Sequence, residues 1–419
     1  MSEPNSDKKK AMGKTGVVDK PLPGLAGTVP PPPAEPFTIR SFLRLDLGFL
    51  PVLITLILIT IYFQIASGGF FLDPRNLSNL VQQIVTTGIL CIAAVLILLL
   101  GEIDLSLAAV AQACAAVTAV LSVYQDWNPW LAILAGLLVG AIIGLVNGFF
   151  IAYLRVPSFI VTLAGSIGYA GVLLLVLGPQ STLIIRDETI RSLAPNFLDS
   201  VVGWILPVLS LVLYAGAIIY EQQRRNKIGL KTKSPQQLAL QIGGASLIVM
   251  AITILLQSYL GVPIAGVIWI GLVVIFWIVL TKSTFGRHLY AVGGSAEAAR
   301  RAGINVTAMK IGIFAIASTL AAFAGIMLAS RSTAVASQID STLLLRAIAA
   351  AVIGGVSLFG GRGSIWAVVL GSLVIGSLEN GLTLLNQEQS VKNVVQGAVL
   401  LLAVTADALA RRANSTRTR

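Results

Sequence analysis

Residues 130–153 read WLAILAGLLVGAIIGLVNGFFIAY, 24 positions with no charge and one amide, Asn147. Coiled as an α-helix, this stretch is about 36 Å long at 1.5 Å per residue, enough to cross the roughly 30 Å hydrocarbon core of a bilayer. Gly136, Gly140, Gly144 and Gly148 recur at a spacing of four and therefore share one face. Along such a face the backbone of a second helix can approach closely in lipid. The partner helix belongs either to the same chain or to a second copy across a dimer seam.

The same pattern repeats on both sides. Apolar segments of spanning length fall at 47–67, 82–100, 105–124, 130–153, 158–178, 203–220, 238–258, 263–281, 309–330, 346–359, 364–385 and 391–410, separated by short polar breaks. The fold expected is all-α: a polytopic transmembrane helical bundle of about 10–12 spans. Segment 346–359 is short for a bilayer and reads as a half-helix or re-entrant helix. The break at 101–104 is so short that its neighbours could form one discontinuous element.

Composition agrees. Of 419 residues, 56% are hydrophobic and 11% charged, against about 45–50% and 25% in soluble domains. So little charge leaves too little polar surface to cover a soluble protein of this size. A cytosolic enzyme, a nucleic-acid binder and a secreted disulfide scaffold are excluded. Cys91 and Cys114 lie in apolar runs and read as small hydrophobes. His288, the single histidine, cannot build a metal site.

Residues 1–40 stand apart. They carry Lys8, Lys9, Lys10, Lys14 and Lys20 and then a proline-rich stretch from Pro21 to Pro36, and are expected to be a disordered basic tail in the cytoplasm. Gly13-Lys14-Thr15 fails as a phosphate loop, because Lys8 stands where the first glycine is required. Residues 41–419 form the transmembrane domain. With twelve alternating spans and the amino terminus inside, 23 of the 29 Lys and Arg fall on the cytoplasmic side. The six outside are Arg75, Arg186, Arg191, Arg331, Arg346 and Lys392. This positive-inside asymmetry places both termini in the cytoplasm.

No nucleophile elbow, histidine metal pair or nucleotide loop is present, so catalytic residues, a metal and a cofactor are not expected. The functional weight then rests on polar groups inside the membrane. Glu102, Asp104 and Ser106 form one cluster, in which Asp104 or Ser106 could simply cap the next helix, whereas Glu102 has no such role. Glu379 and Asn380 lie deep in the span from 364, and Gln112 and Asn147 add amides elsewhere. Amides and carboxylates without a buried cation suit a neutral polyhydroxylated solute, or act as glue between helices. The inside loop 282–308 holds a short capped helix: Gly294 or Ser295 starts it, Glu297 suits its first turn, Arg300 and Arg301 its last, and Gly303 ends it. It reads as a docking element for a cytoplasmic partner, the alternative being a solvated, lipid-facing loop.

Three stretches carry a resemblance: Gly101-Glu-Ile-Asp-Leu-Ser106, Phe285-Gly-Arg-His-Leu-Tyr-Ala-Val-Gly-Gly294 followed by Glu297 to Asn305, and Ala347 to Ser364 with its Gly-Gly-Val-Ser-Leu-Phe-Gly-Gly-Arg-Gly core. In this order they resemble the permease subunits of bacterial ABC sugar importers of the ribose and xylose type. The basic loop 221–237 and its flanking spans lengthen the chain towards the D-xylose permeases. The resemblance implies a plasma-membrane permease for a pentose such as D-xylose. Two copies would line the pathway, a cytoplasmic ATP-binding cassette subunit would dock on Glu297, Arg300, Arg301, Gly303 and Asn305, and an extracytoplasmic binding protein would deliver the sugar. Two departures from the family pattern are Glu102, where a second glycine is usual, and Ala108-Ala109, where Gly-Ser is frequent. The rival reading is a proton-coupled sugar carrier using Glu379 or Glu102. A permease of the same class for ribose or a branched-chain amino acid differs only in substrate.

Overall fold

The structure is a computed structural model that describes residues 50–230 and 232–417. The tail expected at 1–40 lies outside these residues. Twelve long or apolar helices follow the twelve expected segments: α1 (Leu50–Ala66), α2 (Pro74–Leu99), α3 (Leu107–Tyr124), α4 (Pro129–Ala152), α5 (Ser158–Leu177), α7 (Ser200–Lys227), α8 (Pro235–Gln257), α9 (Ile264–Lys282), α12 (Val306–Ser332), α13 (Ser341–Ile353), α14 (Ala367–Leu384) and α15 (Gln389–Arg417). Between them lie three short helices, α6 (Glu188–Ser192), α10 (Thr284–Gly294) and α11 (Ala296–Arg301). Among the described residues, nine helices are long and apolar enough to cross a membrane, and α1 and α13 are shorter apolar helices. Two three-residue strands, β1 (Thr182–Ile184) and β2 (Ala334–Ala336), pair antiparallel and tie two loops together at one end.

The apolar helices form here because, without water in the hydrocarbon, each backbone group must be satisfied within its own helix. Large apolar side chains therefore stay exposed around the outside, such as Ile65, Leu175 and Leu247, a pattern suited to a lipid surround. α2 is the exception. From Ile89 to Leu99 every side chain is buried, as expected of a helix that is apolar all round and sits at the centre. α12, α13 and α14 enclose it.

The glycine face of α4 packs within the chain, mostly against α12. A Cβ on Gly144 would stand 2.3 Å from the Phe314 carbonyl, one on Gly140 2.8 Å from that of Ser318, and one on Gly148 2.7 Å from Ile311 Cα. Gly136 meets the Thr118 hydroxyl of α3. The dimer-seam alternative for this face is thereby ruled out.

Two boundaries differ from expectation. The break between α2 and α3 runs from 100 to 106, so the two are separate helices rather than one discontinuous element. The short segment begins at Ser341, five residues before the expected start, because Asp340 caps it by accepting from the Thr342 N–H at 2.9 Å. It also ends earlier, at Ile353. At 13 residues, α13 is about 20 Å long and shorter than the membrane is thick.

Candidate functional site

The polar residues singled out above separate into groups at opposite ends of the bundle. α12 gives the scale. Lys310 lies near its start and Arg331 near its end, so 21 residues of helix hold them about 30 Å apart.

At the Lys310 end, α11 is the short capped helix expected in the loop after α9, and α10 is a second short helix before it that the sequence reading does not include. Ser295, in extended conformation, accepts from the Ala298 N–H at 3.2 Å and starts α11. Glu297 and Arg301 pair across one turn, both well exposed. Gly303 ends the helix at φ +85° and donates to the Arg300 carbonyl at 3.0 Å. Asn305 then caps α12, accepting from Ala308 at 2.9 Å. One buried residue, Ala299, anchors α11, and the charges of Glu297, Arg300 and Arg301 remain in solvent. Tyr290 of α10 donates its hydroxyl to the Gly363 carbonyl at 2.9 Å. Burial holds its phenol above the ordinary range, so it stays a donor.

Glu102 does not stand alone beside this surface. It forms an ion pair with Lys310, both side chains being about four-fifths buried. Asp104, fully enclosed, accepts from the Ser106 N–H at 2.7 Å and the Ser106 hydroxyl at 2.6 Å. Asn147 donates to the Ser106 hydroxyl at 3.3 Å, and Tyr169 donates to the Asn147 carbonyl oxygen at 2.6 Å. Ser106 is the N-cap of α3, but its side chain takes no N–H of the helix. Asp104 therefore orders the chain before α3 and ties it to α4 and α5 through Asn147. Gln112 is buried on α3, and its amide oxygen has no partner among the described residues.

At the other end, a cavity of about 190 Å³ lies between α2, α12, α13 and α14. Gln83, Thr86 and Thr87 line one wall, and Arg331, Asp340, Arg346, Glu379 and Thr383 the rest. Arg346 organises it. Its guanidinium donates to Glu379 at 2.7 Å, to Asp340 at 3.2 Å and to the Thr342 hydroxyl, with 11% of its side chain exposed. The expectation of a set without a buried cation is therefore overturned. Asn380 faces the other way: it exchanges hydrogen bonds with Asn76 at 2.9 and 3.1 Å and donates to Gln83 at 3.3 Å, which fixes α14 to α2. Of the seven pathway candidates, only Glu379 lines this cavity; Glu102, Asp104, Ser106 and Asn147 gather near the Lys310 end.

Arg331, Arg346, Asp340 and the threonines Thr86, Thr87 and Thr383 were not foreseen. The signal for Arg346 was present, since Asp340-Ser341-Thr342 is a helix-start pattern that places Arg346 on the second turn.

A bundle of spanning helices with an exposed, charged pair of short helices at one end and a polar cavity at the other fits a membrane permease. The chain belongs to the family described as branched-chain amino acid transport system / permease component, which matches residues 76–404. It is 34% identical to the xylose transport system permease protein XylH of Escherichia coli (strain K12) over 368 residues, 88% of this chain and 93% of that one. To XylH of Haemophilus influenzae it is 35% identical over 359 residues, 85% and 95% of the two chains. To the ribose import permease protein RbsC of Bacillus subtilis it is 31% identical over 338 residues, 80% and 86%. No solved structure is a significant match.

Proposed function

We propose that the chain is the membrane-spanning permease subunit of an ATP-driven importer for a pentose, with D-xylose first among candidates. The observation that carries this reading is the 34–35% identity to xylose permeases across most of both chains. In this reading two copies form the pathway in a bacterial plasma membrane, and the end holding Arg300 and Arg301 faces the cytoplasm, in keeping with the excess of Lys and Arg there. A separate ATPase subunit docks on α10 and α11, and a soluble binding protein delivers sugar at the end of the Arg346 cavity. The chain itself performs no hydrolysis.

The chemistry of that cavity suits the substrate. Hydroxyls of Thr86, Thr87 and Thr383, the Gln83 amide and the paired charges of Arg346 and Glu379 offer donors and acceptors in balance. A sugar hydroxyl needs both. The proton-carrier reading is weakened by the same geometry, because Glu379 and Glu102 are each engaged in an ion pair, with Arg346 and Lys310, rather than standing alone in the membrane.

The test is reconstitution with an ATPase subunit and a xylose-binding protein. Labelled D-xylose should accumulate only with ATP and should be unaffected by an uncoupler. Uptake that needs no ATP and collapses with the proton gradient would overturn the importer reading. Competition by ribose or leucine rather than xylose would overturn the substrate alone.

A further inference from the structure

α10 and α11 are too small to dock an ATPase by themselves. They hold 11 and 6 residues, whereas a stable interface takes about 800 Å² and 20–30 residues from each partner. More of this surface must take part, and backbone contacts identify the piece continuous with α11. Gly360 and Gly361 seat against Gly293 and Gly294, immediately before the Ser295 cap. A Cβ on Gly360 would lie 2.6 Å from the Gly293 carbonyl oxygen, and one on Gly361 2.8 Å from Gly294 Cα. The Gly361 N–H donates to the Leu99 carbonyl at 2.9 Å, and Tyr290 holds Gly363. Gly360 and Gly361 have φ of +85° and +67°, conformations that other residues adopt only under strain. The end of α2, the end of α10 and loop 357–363 thus meet in one rigid junction. It presents Phe359 72% exposed, with Arg362 exposed nearby.

We propose that loop 357–363 is a second contact for the same ATPase subunit, with Phe359 as its apolar anchor. This rests on the reading of α10 and α11 as the ATPase dock. The reasons are continuity and area: a subunit covering α10 and α11 must extend beyond them, and the loop is fixed by backbone to the end of α10, immediately before α11. Aromatic side chains on rigid supports are favoured interface anchors. The competing occupant is the lipid headgroup region, since Trp366 lies seven residues further on and packs against Trp277 at 6.3 Å.

The test uses the full chain in lipid nanodiscs. A Phe359→Cys variant carries a polarity-sensitive fluorophore; Cys91 and Cys114 are buried and take no label. Adding the ATPase subunit should shift the emission and shield the label from iodide, while brominated lipids should leave it unquenched. Quenching by brominated lipid with no response to the ATPase overturns the proposal. Independently, Phe359→Ala should weaken ATPase binding about 10- to 100-fold at an unchanged melting temperature. Failure of the dock itself looks different: charge reversal at Arg300 and Arg301 would then leave binding intact. If that reversal abolishes binding and Phe359→Ala does not weaken it, the dock stands and the loop contact falls.

Discussion

Replacing Glu379 with glutamine removes a charge from the Arg346 cluster while keeping an acceptor of the same shape. Breaking a buried ion pair costs about 3–5 kcal/mol, whereas an exposed pair is worth about 0–1 kcal/mol. Glu379 lies between these limits, with 32% of its side chain exposed against 11% for Arg346. Arg346 also retains Asp340 at 3.2 Å and the Thr342 hydroxyl. The expected cost of Glu379→Gln is therefore about 1–2 kcal/mol. Arg346→Gln should cost more, about 3–5 kcal/mol, because it leaves Glu379 and Asp340 facing one another without a counter-ion. The double variant should recover part of that loss, since one of the stranded carboxylates is gone. Thermal unfolding in nanodiscs gives the order of stabilities, and ATP-driven xylose uptake gives the functional effect. Uptake by Glu379→Gln should stay within about tenfold of the parent, because an acceptor remains in the cavity wall. The reasoning is refuted if Glu379→Gln proves less stable than Arg346→Gln. Complete loss of uptake, with ATPase stimulation intact, would instead make Glu379 an obligatory proton site.

Three further outcomes are expected. Reversing Arg300 and Arg301 to glutamate should abolish ATPase binding and uptake yet leave the melting temperature unchanged, since both side chains lie in solvent; normal uptake would remove α11 from the docking surface. Gly144→Ala should destabilise by about 1–3 kcal/mol, because its Cβ would meet the Phe314 carbonyl at 2.3 Å, while Gly312→Ala, with nothing within 4 Å, should be neutral or slightly stabilising; equal melting temperatures would contradict the α4–α12 contact. Lys310→Met should cost about 3 kcal/mol by stranding the part-buried Glu102, and adding Glu102→Gln should restore most of it; no rescue in differential scanning would mean the two do not pair.

The helices were legible because a bilayer leaves little choice: a long apolar run must satisfy its own backbone, and helices are how it does so. Where expectation went astray, a single charge misled it. The sequence places Arg346 at the outer edge of segment 346–359 and counts it with the outside basic residues, which leaves its cation out of the buried polar set. The Asp340 cap shows the helix beginning earlier and carrying Arg346 inward. The pairings themselves had no local signature. Lys310 and Glu102 are 208 residues apart, and Arg346 and Glu379 are 33 apart. Only the packing of α12 beside the α2–α3 break, and of α13 beside α14, brings them together. Asn380 illustrates the opposite ambiguity. A buried amide reads equally as a solute contact or as interhelical glue, and its partner Asn76, 304 residues away, makes it glue.

The distribution of polarity bears on how a solute could cross. Polar groups gather at the two ends, around Glu102 and Asp104 on one side and Arg346 and Glu379 on the other. Between them α2 presents an unbroken apolar run from Ile89 to Leu99, buried on every face against α12, α13 and α14. Interiors of this kind are close-packed and transmit displacement rather than absorb it. Among the described residues, the buried run of α2 offers no strong hydrogen-bonding side chain between the Arg346 cavity and the Glu102 end. Under the importer reading proposed above, a sugar would pass beside α2 rather than through it, either between two copies or by displacement of α13. α13 is suited to such movement: it is too short to span, it bears Arg346 at the cavity, and its far end leads within four residues into the 357–363 loop locked to α10. Under the docking reading proposed above, force applied at α10 and α11 would reach the cavity through a helix of only 13 residues. A disulfide that immobilised α13 against α14 should stop uptake while leaving ATPase docking untouched.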